Sequence, residues 1–296
     1  SFTILAMGKL CGQQLNYSSV IDLIYIYSGE QGQTEATAPS QASISNMEFF
    51  VKLAQAITRV PSASTEEGYF YRVDLRLRPE GSAGPVASSL SACKNYYGSW
   101  GETFERLALI KARPVGGSAE LGEKFCRTFN SFIYRKFLDF AALDEIQEIK
   151  SRIEAKLSSR KSHDQHVKLG TGGIREVEFF VQALQLIYGG RQAELQQRST
   201  LRTLAVLARL GYLQVAEHQT LAEAYLFLRD LEHKLQMVHH FQTHELPSES
   251  VELYRCARRM DFKASTEAAT VDLFLTTLKQ HRAGVRRSFH DLVSRK

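Results

Sequence analysis

The sequence predicts an α+β protein, with a small mixed-sheet domain at 1–117 followed by an all-helical domain at 118–296. Three observations predict it. Apolar runs of strand length, one alternating with period two, are confined to the first eighty residues. Helical 3–4 spacing of apolar residues takes over from Ala119 onward. Gly, Pro and Ser clusters punctuate both regions at the places where elements must end.

The elements follow in order. Phe2–Met7 and Ile21–Tyr27 read as strands, separated by a glycine-bearing turn. The segment Ser28–Ser43, rich in Gly, Gln, Thr, Ala and Ser, reads as a mobile loop. Ile44–Val60 sets Met47, Phe50, Val51, Leu53, Ala54 and Ile57 at helical spacing, and Pro61 is expected to stop it. Tyr69–Leu77 alternates and is the third expected strand; Ser89–Trp100 and Thr103–Ile110 look helical. Beyond Ala119, turns at 162–173, 189–190, 211 and 246–248 divide a run of helices.

Composition narrows the function classes. The 296 residues are 44% hydrophobic and 23% charged, an ordinary globular balance long enough for two cores. No run of about 18 apolar residues marks a membrane span. No secretory signal is visible. Four cysteines (Cys11, Cys93, Cys126, Cys256) lie apart without a CxxC pair, as expected of reduced thiols in a cytoplasmic protein. The net charge of +5 suits phosphate-bearing ligands without implying nucleic acid. The chain opens directly on an apolar strand, as a piece of a longer protein would.

Two strands carry the chemistry. Asp22 sits in "VIDLIYIY", where a charge needs a partner or a metal. "YRVDLRLRP" places Tyr71, Val73, Leu75 and Leu77 on one face and Arg72, Asp74, Arg76 and Arg78 on the other. Three guanidinium groups around one carboxylate suit a phosphate or a metal–phosphate complex; a solvated edge strand with ion pairs is the plainer alternative. "PEGSAGP" follows as a tight loop. A carboxylate strand after a glycine turn, then a helix, then a second carboxylate strand, is the layout of two-metal nucleotidyl transfer, and Asp22 and Asp74 suit magnesium.

Further along, "GTGGIREVEFF" places Arg175, Glu176 and Glu178 near the start of a helix reaching Tyr188. Its glycines are expected to expose N–H groups as a phosphate seat, while its acids also favour the helix dipole. Glu176 and Glu178 point to different faces, so at most one reaches a site. "FERLALIKARPVGG" offers Arg106, Lys111 and Arg113 as phosphate contacts, or as solvated charges. "HDQH" at 163–166 lacks spaced partner ligands and is read as a polar linker, and Leu226–Phe241 as an amphipathic helix bearing histidines.

The segments "GKLCGQQLNYSSVIDLIYIY", "YRVDLRLRPEGSAGPV", "ERLALIKARPVGG", "GTGGIREVEFFVQALQLIYGGR" and "LFLRDLEHKLQMVHHFQTHELP" together resemble bacterial glutamine-synthetase adenylyltransferase. This bifunctional enzyme adds AMP to, and removes it from, a tyrosine of glutamine synthetase. The "GGIREVEF" wording is similar to the N-terminal, adenylyl-removing half and argues against a PII-uridylyltransferase-like enzyme. The resemblance implies a polymerase-β-like nucleotidyltransferase domain with a helical domain after it. It implies phosphorolysis of adenylyl-tyrosine to ADP with Mg2+, and glutamine synthetase and a PII-type signal protein as partners. It implies catalytic roles for Asp22, Asp74, Arg76, Arg175 and Glu178, with Asp22 and Asp74 as metal ligands. Gly8, Lys9, Gly12, Ser18, Ser19, Arg72, Arg78, Lys111 and Arg113 are then the nucleotide or phosphate contacts. The start of the 174–188 helix is expected to face the carboxylates. Two departures stand out: Cys11 replaces the first glycine of a Gly-Gly pair, and Val20 stands where the family has a third aspartate. An impaired binding module for glutamine synthetase or a PII-type regulator is therefore the alternative.

Overall fold

The computed structural model describes residues 1–35, 42–137, 141–158, 165–239 and 243–294. The chain divides into two compact units: 1–15 with 19–135, and 16–18 with 136–296.

The first unit is built on a five-stranded mixed sheet. β1 (Phe2–Ala6) pairs antiparallel with β2 (Val20–Tyr27) and, on its other side, with β5 (Arg113–Gly117). The far edge of β2 carries two short parallel partners. β3 (Arg72–Asp74) runs beside its first half and β4 (Ala87–Ser89) beside its last three residues. Between β1 and β2 the chain makes one turn of helix, α1 (Gly8–Cys11). Cys11 is helical and buried there, and its φ is not positive, so the position does not require glycine.

α2 (Asn46–Ser62) starts where the Ser45 hydroxyl accepts the Glu48 N–H. Its Phe50, Val51, Ala54 and Ile57 pack on the sheet face formed by Ile21, Leu23, Tyr25 and Tyr27. Phe50 stacks on Phe2 and Tyr27 at 5.7 and 4.9 Å, contacts worth about 1 kcal/mol each beyond area burial. Pro61 lies inside the last turn rather than ending the helix at Val60. Its carbonyl accepts the N–H groups of Phe70 and Tyr71. Of the loop expected at 28–43, residues 36–41 lie outside the described residues, and its ends pair at Gln33 and Ser45.

α3 (Leu90–Ser99), α4 (Thr103–Leu109) and α5 (Ala119–Ile133) complete the unit. α5 carries the first unit past the expected limit at 117. Its Leu121, Phe125, Phe129 and Ile133 are buried, and a Cβ on Gly122 would come within 2.6 Å of Pro114 and 2.9 Å of Thr3 Oγ1. That close approach to β5 and β1 is available only to glycine.

The third strand is shorter than its alternation suggests. It ends at Asp74 because the Asp74 carboxylate accepts the Arg76 N–H at 2.8 Å and the Arg78 N–H bonds the Leu75 carbonyl, turning the chain. Val73 and Leu75 still reach the core, while Tyr71 is exposed. β4 and β5 escaped the sequence reading; "ASS" and "RPVGG" lack β-branched alternation, and the proline is tolerated because β5 is an edge.

The second unit is helical: α6 (Ala141–Ser158), α7 (Ile174–Tyr188), α8 (Thr200–Arg209), α9 (Val215–His239), α10 (Ser250–Arg259) and α11 (Glu267–Ser294). α7 lies at its centre, with every residue from Glu176 to Ile187 buried, and it packs on α6, α8, α9 and α11. The one-face reading of α7 is corrected accordingly: its polar residues Glu176, Glu178, Gln182 and Gln185 are buried along with its apolar ones.

Candidate functional site

β2 and β3 set the register of the candidate site. Val20 lies opposite Arg72, Ile21 opposite Val73 and Asp22 opposite Asp74. Laterally paired residues share a face, so Ile21 and Val73 go to the α2 core while Val20, Asp22, Arg72 and Asp74 line the other side. The two carboxylate-bearing residues are one strand spacing apart, about 4.8 Å between backbones.

Gly8 backs the pair. Its φ is +52°, and a Cβ there would stand 2.8 Å from Asp22 Oδ2, so the turn after β1 carries glycine because the carboxylate occupies that space. Lys9 and Gly12 lie on and just after α1, Ser18 is partly exposed and Ser19 is buried.

Asp74 is held by Arg76. The Asp74 carboxylate accepts Arg76 Nε at 3.1 and 2.9 Å and Nη2 at 2.6 Å, besides the Arg76 main-chain N–H. The Asp74 side chain is 17% exposed and that of Arg76 77%. The hydrogen bonds from Arg76, opposed by burial, hold the Asp74 carboxyl below the usual carboxylate range. Arg78 turns the other way. Its guanidinium donates to the carbonyls of Leu75, Ser82, Gly84 and Pro85, which makes it the staple of the 79–85 loop; the four-residue charged face expected from alternation does not form.

The basic residues of α4 and of the segment after it are also committed. Arg106 is 1% exposed and donates to the Ile133 carbonyl, so it ties α4 to the end of α5 and is not a phosphate contact. Lys111 is buried, and Arg113 donates to the Leu10 carbonyl, joining β5 to α1.

In the second unit the start of α7 is not an open phosphate seat. The N–H groups of Gly173, Ile174 and Arg175 donate to the carbonyls of Gly170, Val167 and Lys168, and that of Gly172 to Glu176 Oε2 at 2.7 Å. Glu176 is buried and pairs with Lys150 at 3.2 Å, which fixes it as a structural anchor. Glu178 points elsewhere, 3.8 Å from Arg175, whose guanidinium lies over the Phe179 ring. Sequence reading missed a second buried charge group. Glu232 is fully buried between Arg229 at 2.6 Å and His244 at 2.9 Å. The signal was present: Glu232 falls in the stripe Leu221, Tyr225, Leu228, Leu235. His163 and His240 lie outside the described residues; His166 Nδ1 accepts the Leu169 N–H and its ring stacks on His244.

Among the described residues no group of three or more His, Cys, Asp or Glu is placed to hold a metal. Asp22 and Asp74, in register on one face, are the carboxylates that could serve a divalent cation there, and Val20 offers none at the third position. No helix among the described residues is long and apolar enough to cross a membrane.

Comparison with known proteins agrees with this division. A family model described as glutamate-ammonia ligase adenylyltransferase matches residues 1–128, and one described as GlnD PII-uridylyltransferase matches residues 144–293, so the GGIREVEF wording inside that second match does not argue against a PII-uridylyltransferase-like protein as expected. Relatives named bifunctional glutamine synthetase adenylyltransferase/adenylyl-removing enzyme span both parts. That of Nitrosococcus oceani is 41% identical over 292 residues, 99% of this chain and 29% of the relative. Those of Methylococcus capsulatus and Stenotrophomonas maltophilia are 46% and 44% identical, over 83% and 86% of this chain and 25% and 27% of the relatives. The chain thus spans between a quarter and three-tenths of the length of these relatives. An α+β sheet unit carrying paired aspartates, followed by a helical unit, and matched along its length at this identity, belongs to the bifunctional glutamine synthetase adenylyltransferase/adenylyl-removing enzyme family.

Proposed function

We propose that this chain removes AMP from adenylylated glutamine synthetase by phosphorolysis, in the cytoplasm, as part of nitrogen regulation. The observation that carries the reading is the in-register pair of Asp22 and Asp74 on one sheet face, with Arg76 and Arg72 beside them. Asp22 and Asp74 would hold one Mg2+, which when bound neutralises nucleotide phosphate charge. Arg76 and Arg72 then meet the remaining phosphate oxygens. Lys9, Gly8, Gly12 and Ser19 line the nucleotide. A phosphate oxygen attacks the adenylyl phosphorus, the bond to the tyrosyl oxygen breaks, that oxygen takes a proton, and ADP leaves. Val20 removes one carboxylate from the set and lowers the rate.

The test is phosphate-dependent ADP release from adenylylated glutamine synthetase by the chain and by Asp22→Asn and Asp74→Asn. ADP formed by the parent and lost in both variants supports the reading; equal activity in all three overturns it. Val20 favours a second reading, a catalytically impaired module that binds glutamine synthetase or a PII-type signal protein. Binding of either protein without ADP release selects it.

A further inference from the structure

Arg76 occupies Asp74 in the manner a bound cation would. Three side-chain hydrogen bonds of 2.6 to 3.1 Å engage both carboxylate oxygens. The geometry is that of a planar fork on a carboxylate. Yet the arginine side chain is 77% exposed, while the aspartate it covers is 17% exposed. The Arg76 main-chain N–H also bonds Asp74 Oδ1, at 2.8 Å, and this bond needs no guanidinium. Asp74 therefore keeps a backbone anchor if the guanidinium leaves, while the side-chain fork occupies both of its carboxylate oxygens. Its positive charge also acts on Asp22.

We propose that Arg76 is a displaceable internal counter-ion, a positioning residue that competes with the divalent cation for Asp74 and is drawn off it when nucleotide phosphate arrives. The proposal rests on the reading of Asp22 and Asp74 as cation ligands. Its consequence is ordered occupancy. Without nucleotide the guanidinium weakens cation binding. With nucleotide the same guanidinium moves to a phosphate oxygen and frees Asp74 for the cation. Cation and nucleotide then bind cooperatively, each raising the affinity of the other by one factor.

The experiment is a Mn2+ titration of the full chain followed by electron paramagnetic resonance of the free ion, with and without ADP, for the parent, Arg76→Ala, Arg76→Lys and Asp74→Asn. In the absence of ADP, Arg76→Ala is expected to bind Mn2+ about 3- to 10-fold more tightly, the range that a largely exposed bidentate pair supports. Arg76→Lys keeps the charge but loses the fork, and is expected to fall near Arg76→Ala. ADP should tighten Mn2+ binding in the parent by a larger factor than in Arg76→Ala. In an Asp74→Asn background, Arg76→Ala should change Mn2+ affinity far less than it does beside Asp74. Far-UV circular dichroism confirms that each variant is folded, as expected while the main-chain bond to residue 74 persists. Equal Mn2+ affinity in the parent and Arg76→Ala overturns the proposal. So does an Arg76→Lys variant that behaves as the parent, because long-range charge alone then explains the gain. Absence of Mn2+ binding in every form, Arg76→Ala included, instead overturns the cation reading of Asp22 and Asp74 on which the proposal stands.

Discussion

Val20→Asp isolates the most informative departure in the chain. Residue 20 lies two before Asp22 on the same face and opposite Arg72, so the new carboxylate would sit about 6.6 Å along the strand from Asp22. Two charges at that spacing repel by about 0.6 kcal/mol in water and about 2.5 kcal/mol at an effective dielectric of 20. Arg72, one strand away, offsets part of this, leaving a net cost of about 1 kcal/mol in the metal-free chain. That lowers the melting temperature by roughly 1–2 °C for a 296-residue protein. With magnesium the sign reverses. A third ligand that tightens binding tenfold adds about 1.4 kcal/mol at saturation, more than the repulsion removes. The assay is thermal unfolding of both forms with and without saturating magnesium, paired with phosphate-dependent ADP release. Val20→Asp should melt lower without the metal and higher with it, and should release ADP faster. Equal melting shifts under both conditions, with unchanged ADP release, would refute the idea that position 20 belongs to the cation site.

Three further outcomes follow from the packing. Burial, helped by the neighbouring His244, lowers the His166 pKa from its ordinary value to about 4; Glu245 opposes this, and Lys168 and Arg282 add to it. The unfolded chain therefore binds the proton first, and stability falls as pH drops from about 6.5 to about 4; His166→Gln should flatten that slope in urea titrations. Arg106→Met should destabilise the first unit by about 3 kcal/mol in denaturant unfolding, because it leaves the Ile133 carbonyl without its donor, and should leave the KM for phosphate unchanged. Gly172→Ala should destabilise the helical unit by at least about 2 kcal/mol, since φ is +69° and the new Cβ would fall 2.2 Å from the Arg282 carbonyl oxygen; amide exchange at Ile174 and Arg175 reports it.

Much of this architecture is legible in the residues, for identifiable reasons. β1 and β2 are short, largely apolar runs and α7 carries helical apolar spacing, and the expected 174–188 span of α7 agrees with Ile174–Tyr188. β3 was overread because alternation continues past Asp74 in the letters, while the aspartate itself turns the chain through the Arg76 N–H. The arginines were the least legible residues. Arg76, Arg78 and Arg106 look alike in sequence, but one holds a carboxylate, one staples a loop and one is buried under α5. For Arg106 a signal existed: Thr103, Arg106, Leu107 and Ile110 fall on one helical face, and all are buried. The in-register placement of Asp22 and Asp74 depends on a crossover through α2 that alternation cannot fix. Glu176 reads as a dipole-favouring acid, yet its partner Lys150 comes from a separate helix, a tertiary fact outside any local pattern.

The most direct measurement is a crystal of the chain grown with Mn2+ and ADP, with the ion located by anomalous scattering. The expected result is one Mn2+ between the carboxylates of Asp22 and Asp74, with the Arg76 guanidinium turned onto a phosphate oxygen. Two ions about 4 Å apart beside Val20, or an ordered ADP with no ion at the aspartate pair, would contradict it.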